Sequence, residues 1–204
     1  ELVLSGSVRK PKASELIPDL WTARFLARSK AYGLGDDGLL RAILKALEVD
    51  EGFTVLAPHQ IAPDLLASPG VMGGVMLPDD LRDDLVAGIK GARELGRQDA
   101  GQAVISARGA VVCQEGPAGT EAMIAAAGPE ARGGVLVKAM KPEQEPRVDL
   151  PAVGPDTVDQ AHAAGLRAVA IEAGRAMTLD RDEMIRRADA AGIVLYGFSE
   201  ADLS

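Results

Sequence analysis

The stretch that most constrains this chain's fold is residues 138–154, KAMKPEQEPRVDLPAVG, punctuated by Pro142, Pro146 and Pro151. Each proline holds φ at about −65° and lacks a backbone donor, which excludes the stretch from helix interiors and central strands. It is predicted to be a stiff, extended loop. Between the prolines stand Lys138, Lys141 and Arg147 among Glu143, Glu145 and Asp149. Such a mixture suits phosphate chemistry, with cations meeting phosphate oxygens while a carboxylate holds Mg²⁺ or orients a water. Mg²⁺ is commonly held by one or two carboxylates plus substrate phosphates, so Asp149 needs few protein partners to serve as a metal ligand. The same charges also pair with one another in an ordinary solvated loop, and charge alone leaves both readings open.

The chain around this loop alternates strand and helix patterns. Val135, Leu136 and Val137 form a strand that delivers the loop, a second helix pattern follows at 156–164, and residues 168–171 read as a buried strand. Asp180 and Glu183 have the spacing of a capping box for a helix ending at Gly192, and residues 193–196 close the pattern. This alternation predicts an α/β sheet with a substantial parallel part. The loop would then leave the carboxyl end of a strand, where open α/β sheets place ligands.

Upstream, Val104 and Ile105, a turn at Arg108-Gly109, and residues 111–113 predict a hairpin. Glu115 to Thr120 then turns into a short helix at 121–127, with Thr120 able to cap it or to bring its N-terminal amides to an anion. A long helix is expected from Pro78 to about Gly96, with Asp79 and Asp80 in the first turn, where the macrodipole favours acids.

Nearer the start, residues 2–4 read as a strand entering a turn at Gly6, and residues 14–32 as an amphipathic helix. Asp36 and Asp37 precede Leu39, Leu40, Ile43, Leu44 and Leu47 at helical spacing, so either acid is a candidate N-cap or faces a ligand. Residues 53–56 suit a short strand. The proline- and glycine-bearing segment that follows marks a boundary, giving an N-terminal part at 1–57, a linker at 58–77 and a C-terminal α/β domain at 78–204, the part that would be catalytic if the charged loop is.

With 204 residues, 47% hydrophobic and 25% charged, the chain is long enough to bury a core and too apolar for wholesale disorder. A net charge of −8 argues against a nucleic-acid partner and against polybasic docking on an anionic membrane. Cys113 alone cannot form an intrachain disulfide, and two histidines, His59 and His162, leave little room for a zinc site or a catalytic triad.

The string Lys141-Pro142-x-Gln144-x-x-Arg147-x-Asp149-Leu150-Pro151-x-x-Gly154, with Thr157-Val158 following, resembles the signature of the LpxI family, UDP-2,3-diacylglucosamine pyrophosphatases of lipid A biosynthesis. Shorter resemblances run in order at Gly35-Asp36-Asp37-x-Leu39-Leu40, Gly101-Gln102-Ala103-Val104, Glu115-Gly116, Gly119-Thr120-Glu121-Ala122-Met123 and Glu172-Ala173-Gly174-Arg175. Glu145 departs from the family pattern, which has Asp there. Glu1 is not preceded by the family's glycine-rich strand-to-helix turn, and an N-terminal piece is expected to be missing.

The resemblance implies two domains, a truncated Rossmann-like N-terminal one and a mixed or mostly parallel α/β C-terminal one, with the acylated sugar between them. It implies Mg²⁺-dependent hydrolysis of UDP-2,3-diacylglucosamine to UMP and 2,3-diacylglucosamine 1-phosphate (lipid X) in the cytoplasm, with peripheral contact at the inner membrane. Asp149 is the expected metal or water-activating carboxylate, and Lys141 and Arg147 the expected catalytic cations. Gly6, Asp36, Asp37, Gln102, Gly119, Thr120, Lys138 and Gln144 are the expected substrate contacts. The alternative reading is a non-catalytic module that clamps a nucleotide or phosphosugar with the same loop.

Overall fold

The chain changes structural unit after Pro63 and again at two points within the proline-bearing stretch, after Pro142 and before Leu150. One unit comprises Glu1–Pro63 and Glu143–Asp149, the other Asp64–Pro142 and Leu150–Ser204. The computed structural model describes residues 1–6, 19–29 and 36–203, and the side chains of Asp36 and Asp37 lie outside that description.

In the first unit, β1 (Leu2–Val3) pairs in parallel with β2 (Val55–Leu56), Leu2 opposite Val55 and Val3 opposite Leu56. Parallel strands need a crossover between them, and this one contains α1 (Leu20–Ser29) and α2 (Asp36–Lys45). Of the helix expected at 14–32, residues 20–29 are found as α1, Asp19 precedes it as a non-helical residue accepting the Thr22 N–H, and the remaining residues lie outside the described ones. Helix α2 runs on into a wider π-type turn, Ala46–Asp50, burying Leu44 and Ala46. A short helix, α3 (Pro58–Ile61), follows β2.

The second unit is built on a six-stranded sheet. Its strands are β3 (Gly70–Val71), β4 (Ala103–Ala107), β5 (Ala110–Gln114), β6 (Val135–Lys138), β8 (Ala168–Glu172) and β10 (Val194–Phe198), in the order β3-β10-β8-β6-β4-β5. The pairs β10–β8 and β8–β6 are parallel, and the remaining three are antiparallel, so the sheet is mixed. A separate parallel pair joins β7 (Ala152–Val153) to β9 (Met177–Thr178). Strand β3 lies within the stretch expected to link the domains and forms the sheet edge against Tyr196 and Gly197.

Side-chain alternation along the strands divides the core into two layers. On one face Val104, Val135, Val137, Ala168, Ala170 and Val194 pack with Leu81, Leu85, Ile89, Ala92 and Leu95 of the α4 region (α4, Arg82–Arg97). On the other, Ile105, Leu136, Val169, Ile171 and Leu195 meet α5 (Gly119–Ala125), α6 (Pro155–Ala163) and α7 (Arg181–Ala191) through Met123, Ile124, Val158, Ala161, Met184 and Ala188. Strands apolar on both faces and helices apolar on one thus meet in an α/β/α arrangement. Close seating of α4 depends on Gly88, where a Cβ would stand 2.3 Å from Val137 Cγ2 and 2.7 Å from Ser106 Oγ.

Two caps differ from expectation. Asp180 is the N-cap of α7 in a left-handed conformation with φ 46° and makes no side-chain capping bond. Its expected partner Glu183 instead accepts from Arg186 and Arg187, because guanidinium forks one turn along the helix offer charge-assisted bonds. Thr120 lies inside α5, whose N-cap is Ala118, and its hydroxyl goes to Glu115.

Candidate functional site

Strand β4 runs antiparallel to β5 and β6, so its start lies beside their carboxyl ends, with Ala103 opposite Lys138. Residues expected to contact substrate gather there within the second unit. Glu115, just past β5, uses Oε2 to accept the backbone N–H groups of Gln102 at 2.7 Å and Ala103 at 3.0 Å. Its Oε1 accepts the Thr120 hydroxyl at 2.7 Å. One carboxylate therefore ties the Gln102 turn to the first turn of α5, which begins at Gly119 with φ 86°, a conformation that favours glycine.

The chain leaving β6 is anchored one residue at a time. Lys138 Nζ donates to the Ala152 carbonyl at 3.2 Å, and the Ala139 N–H donates to the Gln102 carbonyl at 2.9 Å. The Met140 N–H donates to Oε2 of Glu172 at 3.0 Å. Lys141, with its side chain mostly covered, places Nζ 2.9 Å from Oδ1 of Asp99. Glu172 is itself buried, with Oε1 facing Arg93 at 3.5 Å and Arg175 at 3.6 Å, and Arg93 also pairs with Glu200 at 2.7 Å.

The first unit holds the other half of the expected residues. Within Glu143–Asp149 the N–H groups of Val148 and Asp149 both donate to the Glu145 carbonyl, so the stretch expected to be extended instead folds into a tight turn, because Pro146 holds a turn-compatible φ, and Asp149 is half-buried at its end. Gln144 is buried and Glu143 pairs with Arg41 of α2 at 3.3 Å. Arg147 is held by Glu145 and by Glu48, which commits much of the guanidinium fork to protein carboxylates. The hydrogen bond from Arg147 is the main reason that the Glu145 carboxyl lies below the usual carboxylate range, with burial acting the other way. Gly6 forms a bend with φ 103° after β1, while Asp36 and Asp37 open α2 with side chains outside the described residues.

The expected residues thus fall into two sets. Lys138, Lys141, Gln102, Gly119 and Thr120 belong to the second unit, and Asp149, Arg147, Gln144, Gly6, Asp36 and Asp37 to the first. Among the described residues no three His, Cys, Asp or Glu side chains converge as a metal cage. A hard cation of the Mg²⁺ type takes oxygen donors from one or two carboxylates and a phosphate, and Asp149 is the carboxylate on the loop that could hold one.

Glu115, Glu172, Asp99 and Glu48 had no assigned role from sequence. Glu115 and Glu172 stand inside strings that resemble a known family, which was the available signal. Nothing local distinguishes their side chains from solvated acids.

The chain matches the LpxI N-terminal domain over residues 1–65 and the LpxI C-terminal domain over residues 68–196. It is 37% identical, over 203 residues, to the UDP-2,3-diacylglucosamine pyrophosphatase LpxI of Caulobacter vibrioides, covering 95% of this chain and 72% of that protein. Among solved structures, a dCMP deaminase from the cyanophage S-TIM5 in apo form aligns with 14% identity and a TM-score of 0.36, over 60% of this chain and 100% of that one. A likeness that slight carries no argument.

Proposed function

The chain belongs to the LpxI family, and on that premise we propose that it is a hydrolase cleaving the pyrophosphate bond of UDP-2,3-diacylglucosamine in lipid A biosynthesis, with UMP and 2,3-diacylglucosamine 1-phosphate as products. The observation that carries this reading is a relationship running in order through both domains and nearly the whole chain. A phosphate-binding fold alone is shared by many unrelated activities, whereas matching both domains together narrows the choice.

In this reading water adds across the P–O–P bridge. A bond forms from the water oxygen to one phosphorus, the bridging oxygen leaves with the other phosphate, and the water's proton is lost. Asp149 supplies the carboxylate that holds Mg²⁺ or orients the attacking water, a role compatible with its half-buried place at the end of a tight turn. When bound, Mg²⁺ would neutralise charge on the pyrophosphate oxygens. Lys141, whose Nζ is held by Asp99, is the proposed cation for the reacting phosphate, from a backbone tied to both flanking strands. Arg147 enters mainly through the turn it braces, since Glu145 and Glu48 offset its charge.

Substrate contacts are proposed for Gln102, Gly119, Thr120 and Lys138, whose backbone and side chains are organised at one end of the sheet. The acyl chains make the substrate a membrane lipid, and peripheral contact with the inner membrane on its cytoplasmic face belongs to the same proposal. No helix among the described residues is long and apolar enough to cross a membrane.

The test is release of UMP from UDP-2,3-diacylglucosamine with Mg²⁺ present and after thorough chelation. Mg²⁺-dependent release supports the proposal, and undiminished release after chelation removes the metal from it. No release, together with thermal stabilisation by the sugar nucleotide, would instead favour a binding module.

A further inference from the structure

We propose that Glu172 is a positioning residue, whose buried carboxylate takes over where the β6–β8 ladder ends and fixes the backbone from which Lys141 projects. The inference rests on the reading above, in which this loop acts on a pyrophosphate. Parallel pairing between β6 and β8 runs only as far as Lys138 opposite Ile171. Two residues later the Met140 N–H is buried beyond the end of that ladder, and an unpaired amide there would be costly. The Glu172 carboxylate supplies the acceptor at 3.0 Å.

Its neighbour Ala139 is tied on the opposite side, to the Gln102 carbonyl of the β4 turn. Successive amides are thus held by the two strands flanking β6, which leaves the loop little freedom before Lys141. Lys141 is then steadied at its far end by Asp99.

A carboxylate with only 8% of its side-chain surface exposed must have its charge met. Arg93 and Arg175 do so from one side, and Glu200 holds Arg93. An apolar side chain would fill the same space without desolvating a charge. What the carboxylate adds is a directed bond to the residue immediately before Lys141, which explains an ion placed at this depth.

Two substitutions separate reach from charge. Glu172→Asp keeps the charge facing Arg93 but is one methylene too short for the Met140 N–H. Glu172→Gln keeps the length and an oxygen acceptor but loses the charge. Misplacement of a catalytic group by about 1 Å lowers rates by up to about a hundredfold. Glu172→Asp is therefore expected to lower kcat for UMP release by about tenfold or more with KM within about threefold, while Glu172→Gln retains kcat within about threefold.

Hydrogen exchange at the Met140 and Lys141 amides should accelerate in the Asp variant and stay slow in the Gln variant, with the β8 amides unchanged in both. The reverse ranking, or equal behaviour of the two variants, overturns the proposal, because Glu172 would then act through its charge on Arg93 or as a general strut. Exchange that quickens equally through β8 and the loop overturns it as well. If the unsubstituted protein releases no UMP, the catalytic reading fails on its own, and the exchange ranking alone decides whether Glu172 holds the loop.

Discussion

The guanidinium of Arg147 closes a fork on Glu145, Nε to Oε1 at 2.8 Å and Nη2 to Oε2 at 3.1 Å, while Nη1 reaches Oε1 of Glu48 at 2.6 Å. Bidentate geometry makes this a stronger restraint than a single exposed ion pair. It closes a two-residue span of the signature loop and ties that span to the turn after α2. Asp149 lies two residues beyond Arg147, so the fork sets the frame in which that carboxylate is presented.

The fork predicts a pH dependence with a definite sign. Glu145 has its folded-state pKa depressed from 4.5, chiefly by the Arg147 hydrogen bond, so it contributes stability above about pH 4.5 that is lost as pH falls through the lower folded value. Glu145→Gln should cost about 1 kcal/mol near neutrality, discounted because 32% of the Arg147 side-chain surface is exposed to solvent. The difference between the two proteins should narrow below about pH 4.5. Urea unfolding of both from pH 7 to pH 3 measures it, and a gap that widens in acid would contradict the assignment.

Loss of the Asp149 carboxylate should act on the transition state rather than on affinity, because in the proposed reaction acyl chains and uridine should supply most of the binding energy. Asp149→Ala is expected to lower kcat by about a hundredfold or more with substrate affinity nearly kept. An acid that merely caps a turn would instead shift stability by about 1 kcal/mol and leave turnover intact. Comparing kcat, KM and Tm for Asp149→Ala and Glu145→Ala separates the two, and a larger loss of kcat at Glu145 would move the role there.

Glu115 joins the Gln102 turn to α5 through three accepted hydrogen bonds. Thr120→Val removes one of these and should cost about 1 kcal/mol, whereas Glu115→Ala strands two backbone amides and should cost about 2 to 4 kcal/mol. If Gln102 and Thr120 meet substrate as proposed, KM rises in both variants, more in the second. Equal Tm values for the two variants would show that the carboxylate does not join the elements as described.

Gly88→Ala tests the seating of α4 away from the loop. Replacing a helical glycine with alanine favours the helix by about 1 kcal/mol, but the added Cβ would stand 2.3 Å from Val137 Cγ2, and overpacking of a tight core costs about 1 to 3 kcal/mol. The contact is too short to absorb without a shift of the helix or of Val137, so the second term wins. A lowered Tm is expected, and a Tm equal to or above that of the parent would mean the sheet yields freely.

What the sequence determined by itself was local in origin. Prolines at 142, 146 and 151 kept residues 139–151 out of helix and strand, while apolar runs marked β4, β6 and β8, a 3.6 period marked α4 and a capping-box spacing marked α7, each within a few residues. Arg108 and Gly109, both at positive φ, form the turn expected between β4 and β5. These features follow from backbone sterics and from which face of an element is apolar, and both are written in neighbouring residues.

Only the tertiary structure decided which acids turn inward and what they hold. Glu172 and Met140 are 32 positions apart, and Arg147 and Glu48 are 99 apart. Nothing in a short window distinguishes Glu172 from the exposed Glu200 that shares Arg93 with it. The same is true of Gly70–Val71, which an unpatterned, proline-flanked sequence presents as linker but which β10 recruits as an edge strand. A carboxylate's role depends on the amides and guanidinium groups brought to it by strand order and register, and these are settled by the whole core at once.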